Sequence, residues 1–150
     1  MRIGVPKEIK ADERRVAIVP SGVAAFRAHN HRVMVEKGAG LGSGISDEAY
    51  AAAGAEIIES AADVFAKANI ILKVKEPIFN EATQRHEVDL MHAGQCIITF
   101  LHPAYPGNHK MIKDMAAKGI LALTLDGIPR ISRAQAMDAL TSMSTVAGYK

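Results

Sequence analysis

Three polar side chains stand at the borders of apolar runs of the sequence, and each is of a type that can handle a small anion or a proton. Arg15 lies in "DERRVAIVP", beside Arg14 and just after Asp12 and Glu13. A guanidinium at a strand-loop junction can hold a carboxylate through two parallel hydrogen bonds, which suits a small oxo or amino acid. A solvated run of charges is the plainer reading of the same four residues. Lys75 lies in the run "NIILKVKEP", in which Lys73, Val74 and Lys75 alternate, so the two lysines share one side of the pleat and Glu76-Pro77 stops the strand. Its ammonium can point at a carboxylate or carbonyl oxygen in a cleft, or snorkel at the sheet edge. His102 closes "CIITFLHP". An imidazole at that place suits an acid or base near neutral pH, exchanging a proton with a carbonyl or carbinol oxygen, although a lone histidine is more often structural. On three strand ends, these groups would converge on one small anionic substrate. A hydride partner is missing from the set.

A second polar group sits in "PRISRAQAMDALTSMSTVAGYK", Pro129 to Lys150, where Arg130, Arg133, Gln135 and Asp138 precede a run of small and apolar residues. The cluster is either an ordinary helix start or a working loop whose partner domain lies elsewhere. Arg130 and Asp138 are too far apart in sequence to pair within one helical turn.

The elements that must position these groups are legible as short apolar runs alternating with helical patterns. "RIGV" reads as a first strand, "GVAAFRAHN" from Gly22 as a helix after Pro20 and Ser21, and "RVMVEK" as a second strand. In "SDEAYAAAGA" Ser46 is the expected N-cap, Asp47 and Glu48 lie in the first turn, and Gly54 ends the helix. "EIIES" gives a short strand, "AADVFAKA" a helix, "NIILKV" and "QCIITFL" strands, "NHKMIKDMAAKG" a helix and "ILALTL" the last strand. Such alternation predicts an α/β fold, a mainly parallel sheet with helices on both faces. Its binding groups belong at the carboxyl ends of the strands: after Val5, after Lys37, near Lys75, after Leu101 and after Leu125.

The glycine-rich "EKGAGLGSGISDEAY" invites a dinucleotide reading and fails it. Counting from Gly38 or Gly40, the third glycine of G-x-G-x-x-G is replaced by Ser43 or Ile45. The stretch also follows a second strand, and no acidic residue closes a strand about 20 residues later. A turn that permits close packing or positive φ is the better reading.

A formal net charge of +2, with 18 Lys and Arg interspersed among 16 Asp and Glu, argues against nucleic acid as a partner. Cys96 is the single cysteine, which excludes an intrachain disulfide, and no compact His or Cys spacing makes a metal site. No apolar run serves as a signal peptide or approaches the about 18 residues of a membrane span.

With these residues in view, the chain resembles a known family. "MRIGVPKEIKADERRVAIVPSGV", "VEKGAGLGSGISDEAYAAAGAEI", "ILKVKEP" and the terminal "PRISRAQAMDALTSMSTVAGYK" look like the N-terminal domain shared by alanine dehydrogenases and the alpha subunits of proton-translocating NAD(P) transhydrogenases. The likeness runs over essentially the whole chain, and its first three blocks fit both branches. It implies a flavodoxin-like or Rossmann-like three-layer domain over residues 1–126. Residues 127–150 would then form a cleft loop and the start of an interdomain helix, truncated before an NAD-binding Rossmann domain, with a later helix returning to complete the first domain.

In alanine dehydrogenases the corresponding arginine and lysine grip pyruvate and the histidine is the acid/base, which maps onto Arg15, Lys75 and His102. The terminal loop more closely resembles that of transhydrogenase alpha subunits, whose arginine, glutamine and aspartate approach the nicotinamide ring. Those map onto Arg130, Gln135 and Asp138. The transhydrogenase resemblance implies NAD(H) in the full protein, NADP(H) on a partner domain and neither held tightly by this fragment. It also implies a homodimer, NADP-binding and membrane subunits, and a place on the cytoplasmic face of a membrane complex. His102 keeps the alanine dehydrogenase alternative open, because many transhydrogenase alpha subunits lack it. A non-catalytic docking module is the third possibility.

Overall fold

The computed structural model describes residues 1–149. A six-stranded sheet is built from β1 (Arg2–Val5), β2 (Arg32–Glu36), β3 (Glu56–Ile58), β4 (Ile70–Leu72), β7 (Cys96–Thr99) and β8 (Leu121–Thr124). Between β4 and β7, two short strands, β5 (Phe79–Asn80) and β6 (Arg85–His86), form a separate antiparallel pair. The main sheet has the order β3-β2-β1-β4-β7-β8, and every pairing in it is parallel. This is the doubly wound arrangement expected from the alternation, in its 3-2-1-4-5-6 form. The order reverses between β1 and β4, so a crevice opens there at the carboxyl edge.

Helices cover both faces. On one side α1 (Pro20–Ala28) and α2 (Asp47–Ala52) close over Ile3, Val5, Val33 and Val35, with Val23 and Tyr50 contributed by the helices. On the other, α3 (Ala61–Lys67), α4 (Glu87–Leu90) and α5 (His109–Ala117) pack Val64, Phe65, Val88, Met111 and Met115 against Met34, Ile71 and Ile97. Val33, Met34 and Val35 therefore alternate between two cores, as the pleat requires. Helix starts follow local chemistry: Pro20 occupies the first turn of α1, while the Ser46 and Ser60 hydroxyls accept the amides of Ala49 and Asp63. Gly4 has no substitute, because a Cβ there would lie 2.8 Å from both Ala68 Cβ and Val64 Cγ1. The chain's last helix, α6 (Ala139–Gly148), falls within the terminal segment, of which Lys150 lies outside the described residues.

Over β7 and β8 the cover is one-sided. Ala122 packs into the core below α5, so Leu121 and Leu123 face the other way, where they are 59% and 49% exposed. Cys96 and Ile98, their register partners, are only half-buried.

Two features differ from the sequence pattern. The β5/β6 pair and α4 were not anticipated, since elements this short carry no periodicity. The strand expected to run to Lys75 ends at Leu72, and the chain bends at Val74 and Lys75. The two lysines consequently part company. Lys73, 3% exposed, is buried with its Nζ 2.7 Å from Glu87 Oε1 and 3.3 Å from Glu8 Oε2, whereas Lys75 is half-buried. Burial pushes the Glu8 carboxyl above its ordinary range, against the pull of Lys73 and of the Val74 amide.

Removing the one ammonium would leave two buried carboxylates uncompensated. Lys73→Met is expected to destabilise the fold by about 3–5 kcal/mol, read as a lower urea midpoint at unchanged slope, with partial recovery when Glu87→Gln is added.

Candidate active site

The segment from Pro6 to Val19, which follows β1, has no regular structure, and it places Arg15 at the carboxyl edge. Two contacts from the glycine-rich turn and α2 hold this segment on either side of Arg15. The Ser43 hydroxyl donates to Arg14 O at 2.8 Å, and the Tyr50 hydroxyl donates to Ile18 O at 2.7 Å. Gly42 lies so close to this strap that a Cβ would fall 2.7 Å from Arg14 O. The glycine stretch is thus a packing surface for the arginine segment.

Arg15 is already engaged. Its Nε donates to Glu13 Oε1 at 2.8 Å and its Nη2 to Glu13 Oε2 at 2.5 Å, while Nη1 meets the Met143 sulfur on α6. Hydrogen bonding from Arg15 brings the Glu13 carboxyl down to about 2, with the nearby Lys75 charge adding to the effect. The Lys75 carbonyl accepts the Thr99 hydroxyl at 2.9 Å, and its ammonium has no hydrogen-bond or ion-pair partner among the described residues. Arg15, Lys73, Val74, Phe100, Leu125 and Met143 surround a cavity of about 310 Å³ at the crevice between β1 and β4.

His102 follows β7 in a left-handed backbone conformation, φ 47°. Its ring stacks on Phe100, 5.9 Å between centroids, and lies between two carboxylates. Nδ1 is 2.9 Å from Asp126 Oδ1, beyond β8, and Nε2 is 3.9 Å from Glu76 Oε2, beyond β4. Glu76 in turn accepts from Lys10 Nζ at 2.6 Å, and its Oε2 is buried without a hydrogen-bond donor. Burial raises both carboxyls, but other groups outweigh it and hold them below the usual range. For Asp126 these are the Thr124 hydroxyl, the His102 and Leu101 amides and the imidazole; for Glu76 they are chiefly the Lys10 hydrogen bond and its own amide. Donation from Nδ1–H to Asp126 selects the tautomer with its lone pair on Nε2, the arrangement of a general base.

Arg15 and Lys75 are brought together around Glu13. His102 borders a different hollow, of about 710 Å³, with Tyr105, Thr124 and Asp126, and the Phe100 ring stands between it and the Arg15 cavity. The terminal loop begins beyond Asp126. Ser132–Met137 is a 3₁₀ stretch, and Asp138 is buried as the N-cap of α6, accepting the Thr141 amide at 3.0 Å together with its hydroxyl. Those two donors, with Arg130 nearby, hold the Asp138 carboxyl below its ordinary range. Arg130 and Gln135 are exposed, and neither side chain has a partner among the described residues. The sequence pattern had not singled out Lys10, Glu76 or Asp126. Glu76 reads only as a strand stop before Pro77, and Asp126 falls at the strand end after Leu125 without a role that the pattern assigns to it.

Comparison with known proteins places these features in a family. The model for "Alanine dehydrogenase/PNT, N-terminal domain" matches residues 4–147. The chain is 43% identical over 150 residues to NAD(P) transhydrogenase subunit alpha of Cereibacter sphaeroides, covering 100% of this chain and 27% of that protein. It is 45% identical over 99% of its length to an alanine dehydrogenase of Methanococcus maripaludis, spanning 37% of that protein. Among solved structures, an L-alanine dehydrogenase superposes with a TM-score of 0.84 at 36% identity, over 99% of this chain and 38% of that one. A transhydrogenase from Sinorhizobium meliloti gives 0.88 at 37% identity, over 99% of this chain and 42% of that one. The chain therefore spans well under half the length of the relatives it matches, and the two branches match about equally well. On this match, the chain belongs to the alanine dehydrogenase/PNT N-terminal domain family.

Proposed function

We propose that the complete protein transfers hydride between NAD(H) and NADP(H), as the alpha component of a proton-translocating transhydrogenase. The observation that carries this reading is the loop from Gly127 to Met137, which ends on the buried Asp138 and offers Arg130 and Gln135 without protein partners among the described residues. Leu125 and Ala139, which flank the loop, both line the cavity at the crevice.

NAD(H), when bound, supplies the hydride. The glycine turn offers its phosphates no cradle, because the Arg14 backbone fills the space beside Gly42. This chain would instead meet the nicotinamide end. Gln135 can both donate to and accept from the ring amide and ribose. Arg130 would place a permanent cation beside them, and Asp138 keeps the loop end from drifting. Apolar Leu125, Phe100 and Met143 would keep water from the reacting face. No protein nucleophile is needed for such a transfer.

Further partners belong to the same proposal. They are an NAD-binding domain in the same chain, a second copy of the protein, and NADP-binding and membrane subunits that would hold this domain at a cytoplasmic membrane face. The short span relative to the relatives and the half-open sheet at Leu121 and Leu123 support further protein around this domain. Among the described residues no helix is long and apolar enough to cross a membrane.

A second reading, alanine dehydrogenase activity, is favoured by one specific observation, the imidazole held between Asp126 and Glu76. There Arg15 and Lys75 would hold a 2-oxo acid and His102 would exchange its proton. Under this alternative, His102→Ala would nearly abolish NADH-dependent reductive amination in a folded protein.

The transhydrogenase reading predicts that Gln135→Asn in the complete protein slows hydride transfer by about 100-fold at saturating nucleotides, with NADH binding only modestly weaker. Unchanged turnover in that variant would remove Gln135 from the mechanism.

A further inference from the structure

We infer that Asp126 is the positioning residue of the Gly127–Met137 loop, an assignment that rests on the transhydrogenase reading above. Its carboxylate gathers donors from two neighbouring strand exits. The amides of Leu101 and His102, both 2.9 Å from Oδ2, and the imidazole Nδ1, 2.9 Å from Oδ1, come from the turn after β7. The Thr124 hydroxyl donates from the end of β8. One side chain thus ties two adjacent strand exits together, one residue before the loop departs at Gly127.

Beyond the local 3₁₀ hydrogen bonds of Ser132–Met137, the loop has little to fix it against the rest of the domain. From Gly127 to Met137 only Ala134 is buried, and Ile131 and Met137 are largely exposed. Its geometry therefore depends on its two ends, Asp138 at the start of α6 and Asp126 at the sheet. The backbone of His102 points the same way. A histidine stays in a left-handed conformation when its surroundings hold it there, and here its own amide and its ring nitrogen both bind Asp126. In this account His102 completes the anchor, and a proton on it does no chemistry. A loop fixed at both ends presents Gln135 to a ring without first having to be ordered, which is where a transfer reaction without covalent catalysis gains its rate.

The test uses Asp126→Ala in the complete protein, read in two ways. Trypsin cleavage after Arg130 and Arg133 should accelerate about tenfold, because the loop opens more often. Hydride transfer at saturating nucleotides should fall about tenfold with KM for NADH nearly unchanged. In a Gln135→Asn background the same substitution should cost less than about threefold, since both changes act through one contact. Equal losses in the two backgrounds, or unchanged cleavage, would overturn the assignment. Should the alanine variant not fold, Asp126→Asn keeps the shape and one acceptor oxygen. It is expected to show weaker forms of both effects, and native cleavage together with native transfer there would equally sink the idea. If Gln135→Asn is silent while cleavage still accelerates, Asp126 holds the loop but its tie to hydride transfer falls with the transhydrogenase reading.

Discussion

A single ammonium buried between two carboxylates underlies the carboxyl edge of this domain. Lys73 leaves the end of β4 and meets Glu87 from α4 and Glu8 from the segment after β1. The same carboxylates hold the backbone around it, Glu8 accepting the Val74 amide at 2.6 Å and Glu87 the Ile78 amide at 2.9 Å. The bend that carries Lys75 and Glu76 is therefore fixed at both ends by groups that cannot leave without exposing a buried charge. Lys75 and Glu76 take their places from that bend, and Glu8 roots the segment that goes on to Arg15.

Above this plug, titratable side chains lie side by side across the crevice. Lys10, Glu76, His102 and Asp126 form a line of neighbours from the β1 segment to the end of β8, while Arg15 is turned into Glu13. Such a line can serve a proton at His102, or it can act as a brace that sets where the terminal loop leaves the sheet. The two readings of function differ mainly in which of these roles is used. Arg15 in its present setting has its fork filled by Glu13 and a thioether against its remaining nitrogen, so a substrate carboxylate would have to displace or add to that arrangement. Gln135 and Arg130 face no such competition, which is why the loop carries the proposal.

Much of the scaffold was legible in the sequence because it rests on local signals. "RIGV", "RVMVEK" and "ILALTL" are apolar runs bounded by helical patterns, and Ser46 caps α2 as its position ahead of Asp47 and Glu48 suggested. The glycine stretch was legible as a turn, though not that Gly42 presses on the arginine segment. The alternation in "NIILKVKEP" reads on to a strand end at Lys75, but the strand stops at Leu72, where Lys73 is buried against Glu8 and Glu87, a contact that no local pattern reveals. Asp126 and Glu76 were not legible as site residues. Each matters through a partner distant in sequence, as Asp126 does for the His102 amide 24 residues earlier, and only the parallel sheet brings those exits side by side.

Under the proposed function, this family member moves hydride between nucleotides and does not aminate an oxo acid. That function is tested most directly with the complete wild-type protein and its partner subunits, given NADH and either an NADP⁺ analogue of distinct absorbance or pyruvate with ammonium. A transhydrogenase reduces the analogue and oxidises no NADH with pyruvate and ammonium. Robust turnover with pyruvate and ammonium would contradict the proposed function and make Arg15, Lys75 and His102 the working site.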